Sequence, residues 1–137
     1  MFVYPFARTR EALLGIGRGP ADAHFGFKLR YVDPATGRSP MPTIGTFAQR
    51  LPVGFATRPY RSSDSTVYVC LEGEGVATIA NAGGDGEQVF DFAPRDVFVV
   101  PSWHAFTLAA RSDALLFSFS DRPVQQVLGL WREQRMA

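Results

Sequence analysis

Eight short runs of β-forming residues, separated by clusters of turn residues, constrain this chain more than any other feature. They are KLRYV (28–32), TIGTFAQRL (43–51), TVYVCL (66–71), VATIA (76–80), QVFDF (88–92), DVFVV (96–100), HAFTLAA (104–110) and ALLFSFS (114–120). The breaks include DPATG, GEG, NAGGDGE, APR, PSW and RSD, all rich in residues that favour turns. Strands at this spacing predict a sandwich or barrel, with a succession of antiparallel hairpins as the economical connection. In the last run Leu115, Phe117 and Phe119 share one face and Leu116, Ser118 and Ser120 the other, so one side of it is core.

At 137 residues the chain has room for one core of this kind and not for a second of similar size. Twelve Phe and a hydrophobic share of 46% supply enough apolar surface to fill that core. The net charge of +1 offers no basic field for phosphate backbones or anionic lipid, so nucleic acid is not an expected partner. Arg8 and Arg10 interrupt the start too early for a secretory leader, and nowhere do eighteen apolar residues run together. A soluble, cytoplasmic chain with no membrane partner is expected. The single Cys70 rules out an internal disulfide framework.

Helical signals flank the β region. Thr9 is placed to cap a short helix over residues 10–16, with Glu11 in its first turn and glycines ending it. After Pro123 the apolar period changes to 3.6, and Val124, Val127, Leu128 and Trp131 form one stripe. Gly129 weakens such a helix by only about 1 kcal/mol. The organisation predicted is an arm with a short helix (1–27), a β-barrel (28–121) and a C-terminal helix (122–137).

Two spacings carry the functional reading. Gly54 is followed by five residues, Tyr60-Arg61-Ser62, three residues, Thr66, six residues and Gly73; later Arg95 is followed by five residues, Pro101, Trp103 and, two residues on, Phe106. These spacings resemble the two motifs of the cupin superfamily, whose metal ligands would stand at positions 60, 62, 66 and 106. Arg95 and Trp103 take the places of two motif glycines. Within that superfamily the phrases FVYPFARTREAL, MPTIGTF, PRDVFVVPSW and LLFSFSDRPVQ with LGLWRE resemble gentisate 1,2-dioxygenase, in order and over nearly the whole chain. The resemblance implies a mainly β fold: a single cupin (jelly-roll) barrel equivalent to the second, C-terminal cupin of a two-cupin subunit. In that family the catalytic Fe2+ and its histidines belong to the first cupin, which has no counterpart here. No catalytic residue is therefore carried over, and no metal or other cofactor is expected in this chain.

Tyr60, Ser62, Thr66 and Phe106, at the degenerate ligand positions, are expected to face the barrel and either fill it or line a small pocket with hydroxyls. Arg58 shares the parity of Tyr60 and Ser62 and is a candidate clamp for the carboxylate of a small aromatic acid, whereas Arg61 should face away. His104 shares a strand face with Phe106, one pleat or about 6–7 Å away, and is a second candidate for substrate binding. The bland readings are a structural His104, a lone loop His24, a buried inert Cys70 and solvated turns at Glu72, Glu74 and Asp64. Three functions stay open: a structural half that assembles with itself or with a first-cupin polypeptide, a stand-alone iron-dependent dioxygenase using His104, and a binding or sensing protein for an aromatic acid.

Overall fold

The computed structural model describes residues 2–137. In chain order the elements are α1 (Phe6–Ile16), β1 (Phe27–Arg30), β2 (Gly45–Leu51), β3 (Tyr60–Ser62), β4 (Thr66–Glu72), β5 (Gly75–Ala80) and β6 (Glu87–Phe92). There follow β7 (Val97–Val100), β8 (Phe106–Ala110), β9 (Ala114–Ser120), α2 (Arg122–Val127) and β10 (Glu133–Arg135). The strands form two five-stranded antiparallel sheets, β1-β2-β9-β4-β7 and β10-β3-β8-β5-β6. The mainly β, jelly-roll architecture expected from the sequence is the one observed, and all eight anticipated runs are strands.

Their connectivity differs from a succession of hairpins. Only β1–β2 and β5–β6 pair as neighbours in sequence; the other partners, such as β2 with β9 and β5 with β8, are distant. Several breaks are corners that carry the chain from one sheet to the other. At the GEG corner Gly73 has φ +81 and lies so close to the Asp113 carbonyl that any Cβ would collide with it. The APR and PSW corners need the same left-handed backbone, yet place Arg95 (φ 76) and Trp103 (φ 63) there. These are the two positions where the motif spacing expects glycine, so the backbone conformation persists without the residue that adopts it most cheaply.

Most of the core lies between the sheets, with Leu51, Tyr60, Tyr68, Phe92, Phe98, Phe106, Leu108 and Leu116 among its larger members. A smaller cluster of Leu13, Ala48 and Leu115 lies under α1 on the outer face of the first sheet. Burying each large apolar side chain contributes roughly 1.5–3 kcal/mol. The helix begins earlier than expected, after Pro5, with no side-chain cap. Thr9 is instead inside it, buried, with its hydroxyl 2.8 Å from that of Tyr31.

The C-terminal helix expected over 122–137 stops at Val127. Gly129 takes φ +70, its N–H donates to the Gln126 carbonyl and the Leu130 N–H to the Gln125 carbonyl, a Schellman termination. Gly129 thus ends the helix rather than merely weakening it. The supposed apolar stripe is not buried: Val127 and Leu128 are exposed, while Trp131 turns back toward the barrel. Residues 133–135 then form β10 along β3, in register Glu133–Ser62 and Arg135–Tyr60.

Candidate functional site

Strand alternation sends Phe47 and Gln49 of β2, Tyr60 and Ser62 of β3, Tyr68 of β4, Phe106 of β8 and Ser118 and Ser120 of β9 toward the space between the sheets. All are buried. They divide into an aromatic group and a polar one. The Tyr60 ring meets Phe25 and Phe106 edge-on, with centroids 4.9 and 6.1 Å apart. Tyr68 continues the group, 6.0 Å from Phe106 and stacked on Phe98 at 5.0 Å.

The Tyr60 hydroxyl donates to Glu133 Oε2 at 2.8 Å, from the C-terminal strand. Burial and this carboxylate both push the phenol well above its ordinary value, so the proton stays on. Burial does the same to Tyr68.

Asp64 is the centre of the polar group, and it corrects the expectation of a solvated turn. Its side chain has 0% exposure. Oδ1 accepts from Trp131 Nε1 at 2.9 Å, and Oδ2 lies 3.5 Å from Arg122 Nε. Burial alone would raise its pKa, but the Arg122 guanidinium, the nearby Ser62 and Ser120 hydroxyls and the Trp131 N–H outweigh it and hold the carboxyl below its usual value. Arg122 also lies over the rings of Phe47 at 5.2 Å and Trp131 at 4.8 Å.

A second cation completes the group. Lys28, opposite Gln49 on β1, is half-buried and places Nζ 4.8 Å from the Phe25 centroid and 4.7 Å from that of Phe47. Loss of water around the ammonium, reinforced by the Arg122 charge, pushes its pKa down to about 7. Gln49 donates to the Phe25 carbonyl at 2.7 Å, while its Oε1, the Ser118 hydroxyl, Asp64 Oδ2 and Arg122 Nε have no hydrogen-bond partner among the described residues.

Of the residues singled out from the sequence, Tyr60, Ser62 and Phe106 are buried together, and Thr66 is half-buried on the same strand face as Tyr68. Arg58 is exposed and engaged through its backbone N–H with the Ala23 carbonyl. His104 is half-buried, its Nδ1 3.1 Å from the Ser102 carbonyl. It borders a different feature, a cleft of about 490 Å³ walled by Phe90, Phe92 and Phe98 between the free edges of β6 and β7.

Arg61 faces away from Tyr60 as its parity requires, bonding Gln134 and stacking on Trp103 at 4.5 Å. His24 reaches the Met136 carbonyl, 2.8 Å from Nε2. Cys70 is buried, and burial pushes its thiol up to about 11. Sequence reasoning missed Lys28, Gln49, Arg122 and Glu133, and alternation along β9 separated Ser118 and Ser120 from the phenylalanines without showing that the serines face inward.

A ferrous ion does not fit the four inherited ligand positions. Phe106 has no donor atom, the Tyr60 phenol is protonated and committed to Glu133, and the neutral hydroxyls of Ser62 and Thr66 are poor ligands for ferrous iron. Among the described residues no three His, Cys, Asp or Glu side chains converge as a metal site.

No family model matches the chain. Its sequence is 46% identical over 136 residues to gentisate 1,2-dioxygenase 1 of Aquipseudomonas alcaligenes, covering 98% of this chain and 38% of that protein. The chain is a homologue of the gentisate 1,2-dioxygenases. The gentisate 1,2-dioxygenase of a Streptomyces species is 42% identical over 107 residues, covering 78% of the chain and 28% of its own length. The crystal structure of salicylate 1,2-dioxygenase from Pseudoaminobacter salicylatoxidans, determined with gentisate, superposes with a TM-score of 0.86 at 32% identity, covering 98% of this chain and 37% of that one. This dioxygenase homologue thus spans about a third of the relatives it matches. No helix among its described residues is long and apolar enough to cross a membrane.

Proposed function

We propose that this chain is the C-terminal, non-metal cupin half of a ring-cleaving dioxygenase of the gentisate type, acting as a structural and assembly partner for a metal-bearing first cupin. The observation that carries this reading is the aromatic group at the inherited ligand positions. Tyr60 and Phe106 are packed against one another and into Phe25 and Tyr68, in the place where the family's motif would set histidines. Ring cleavage by dioxygen needs a redox centre, and these side chains supply neither its ligands nor its electrons. The centre then comes from another cupin, in the same cytoplasm.

Exposed Phe2, Val3, Tyr4, Phe6, Leu14 and Ile16 give the N-terminal arm an apolar surface suited to a partner barrel, either that first cupin or a second copy of this chain. Phe47, by contrast, is buried and takes no part in such a contact. The aromatic-acid reading keeps one support, the phenylalanine-walled cleft beside His104, whose size is that of a small-molecule site.

Anaerobic reconstitution with ferrous iron, metal analysis and oxygen-electrode assays with gentisate test the assembly reading. The chain alone is expected to retain no stoichiometric iron and to show no turnover, while mixing with an iron-loaded first-cupin polypeptide raises that polypeptide's activity. Turnover by the chain alone that is lost in His104→Ala would overturn the proposal in favour of a stand-alone dioxygenase. Titration with salicylate followed by Trp103 and Trp131 fluorescence tests the cleft.

A further inference from the structure

The two sheets differ in what they turn outward. On the second sheet the outward positions include Arg61 on β3, Thr78 on β5, Glu87 and Asp91 on β6 and Arg111 just after β8, side chains suited to water. Apolar-in, polar-out alternation is what an antiparallel sheet with one wet face requires. The first sheet lacks it over its middle two rows. From β7 through β4, β9 and β2 to β1, one row reads Val97, Val69, Phe117, Ala48 and Leu29. The next reads Val99, Val67, Phe119 and Thr46 and continues to Tyr31, whose N–H donates to the Thr46 carbonyl. Neither row contains a charge, although its side chains point away from the core of Tyr68, Phe98 and Leu116.

Helix α1 covers only one side of this face, where Leu13 packs with Ala48 and Leu115. The part over β9, β4 and β7 is bare. Val97 is 60%, Val99 49% and Phe119 36% exposed, and Val67, Val69 and Phe117 are half-buried. The rings of Phe2, Tyr4, Tyr31 and Phe117 follow one another at centroid distances of 5.7, 5.3 and 6.1 Å, joining the bare part to the exposed N-terminal arm. Total surface agrees with a face made to be covered. A compact monomer of 15.1 kDa exposes about 7,100 Å². This chain exposes 7796 Å², an excess of about 700 Å², close to the roughly 800 Å² that each partner contributes to a standard interface.

The charge pattern suits a second copy of the same chain. In a two-fold contact a patch meets its own twin, so a patch carrying one sign of charge repels itself. The two rows carry none, and at their Leu71–Val97 end Arg10, Glu72, Arg95 and Asp96 supply charges of both signs in equal number. We infer that the outer face of the first sheet, from β7 to β9, is the contact surface of a two-fold homodimer, packed sheet against sheet over Val67, Val97, Val99 and Phe119. Stacked sheets lie about 10 Å apart with their strands within about 30° of one another, and β-branched and aromatic side chains fill the layer between them. This association needs no metal-bearing cupin, so it goes beyond the assembly reading and is tested apart from it.

Sedimentation equilibrium of the full chain, from below one to tens of micromolar, is the test. The wild type is expected at twice the chain mass. Val99→Lys should raise the dimer dissociation constant at least about 100-fold, because the contact then buries two like charges. Val89→Lys, which alters a valine of 60% exposure on the outer face of the second sheet, should leave that constant unchanged. Circular dichroism checks that each variant is folded; should Val99→Lys fold poorly, Val97→Lys decides. A wild type that stays monomeric, a Val99→Lys dimer as tight as the wild type, or equal weakening by Val89→Lys overturns the inference. A chain that is monomeric alone yet forms a one-to-one complex with a first-cupin polypeptide, lost in Val99→Lys, overturns it as well, by giving the face to that partner.

Discussion

Replacing Asp64 by alanine is the most severe single test of the polar interior. The carboxylate has 0% exposure and joins the loop after β3 to Arg122 at the start of α2 and to Trp131 ahead of β10. Removing one member of a buried ion pair costs about 3–5 kcal/mol, because the other charge is left uncompensated. Arg122 is 19% exposed and recovers some hydration, which favours the lower end, and loss of the Trp131 hydrogen bond adds about 1 kcal/mol. The expected loss is therefore about 4 kcal/mol, or roughly 14 °C in Tm for a domain of this size. Urea unfolding followed by Trp fluorescence measures it.

The double variant Asp64→Ala/Arg122→Met should regain about half of the loss, since it removes the stranded cation. The acid limb gives an independent check. Asp64 titrates below its ordinary value of 3.8, so its contribution is present above that pH and is lost as pH falls through the lower folded value; Asp64→Ala should flatten this limb. A loss under about 1 kcal/mol, or a double variant no better than Asp64→Ala, would refute the reasoning.

Three further outcomes are expected. Lys28 has a folded pKa of about 7 against 10.5 unfolded, so the unfolded chain binds more protons between these values and stability rises with pH across that window. Lys28→Met should be more stable than wild type by about 2 kcal/mol at pH 6, after allowance for screening, with the advantage gone near pH 10 in a series of urea curves. Arg95→Gly, at an exposed corner with φ 76, should gain about 0.5–1 kcal/mol, whereas Trp103→Gly should not gain because it forfeits the Arg61 stack. Native Cys70, buried and pushed up to about 11, should react with iodoacetamide at least about 100-fold more slowly than in urea.

Much of the fold was legible because alternation and turn chemistry are local properties. Each of the eight runs needed only its own residues to declare itself a strand, and turn residues marked breaks around Arg95 and Trp103 even where the motif's glycines were replaced. Partner choice was not legible in the same way. GEG and APR look like hairpin turns, but whether a turn returns the chain to the same sheet or crosses to the other depends on residues far away, such as Asp113 beneath Gly73. The C-terminal stripe failed for a related reason: Val124, Val127, Leu128 and Trp131 have helical spacing, yet Asp64 draws Trp131 out of that helix. Residues 60–62 and 133–135 were too short to stand out as strands and are held chiefly by pairing with each other.

The polar interior was hidden by a strand with two covered faces. In ALLFSFS, hydrophobicity alone assigns Leu115, Phe117 and Phe119 to the core and Ser118 and Ser120 to solvent. The structure does the reverse: Leu115 is capped by α1, Phe117 rests against Tyr31, and Phe119 is 36% exposed, while both serines are buried. A one-residue slip in register would exchange these faces, so something must oppose it. The inward serines are needed because Ser120 Oγ accepts from the Arg122 backbone N–H at 3.3 Å and Ser118 faces the charged end. A slipped strand would present Phe119 to a buried carboxylate that keeps its charge, and lose a hydrogen bond without gaining an ion's partner. Register in β9 is therefore set as much by where the polar groups must go as by where the phenylalanines can hide.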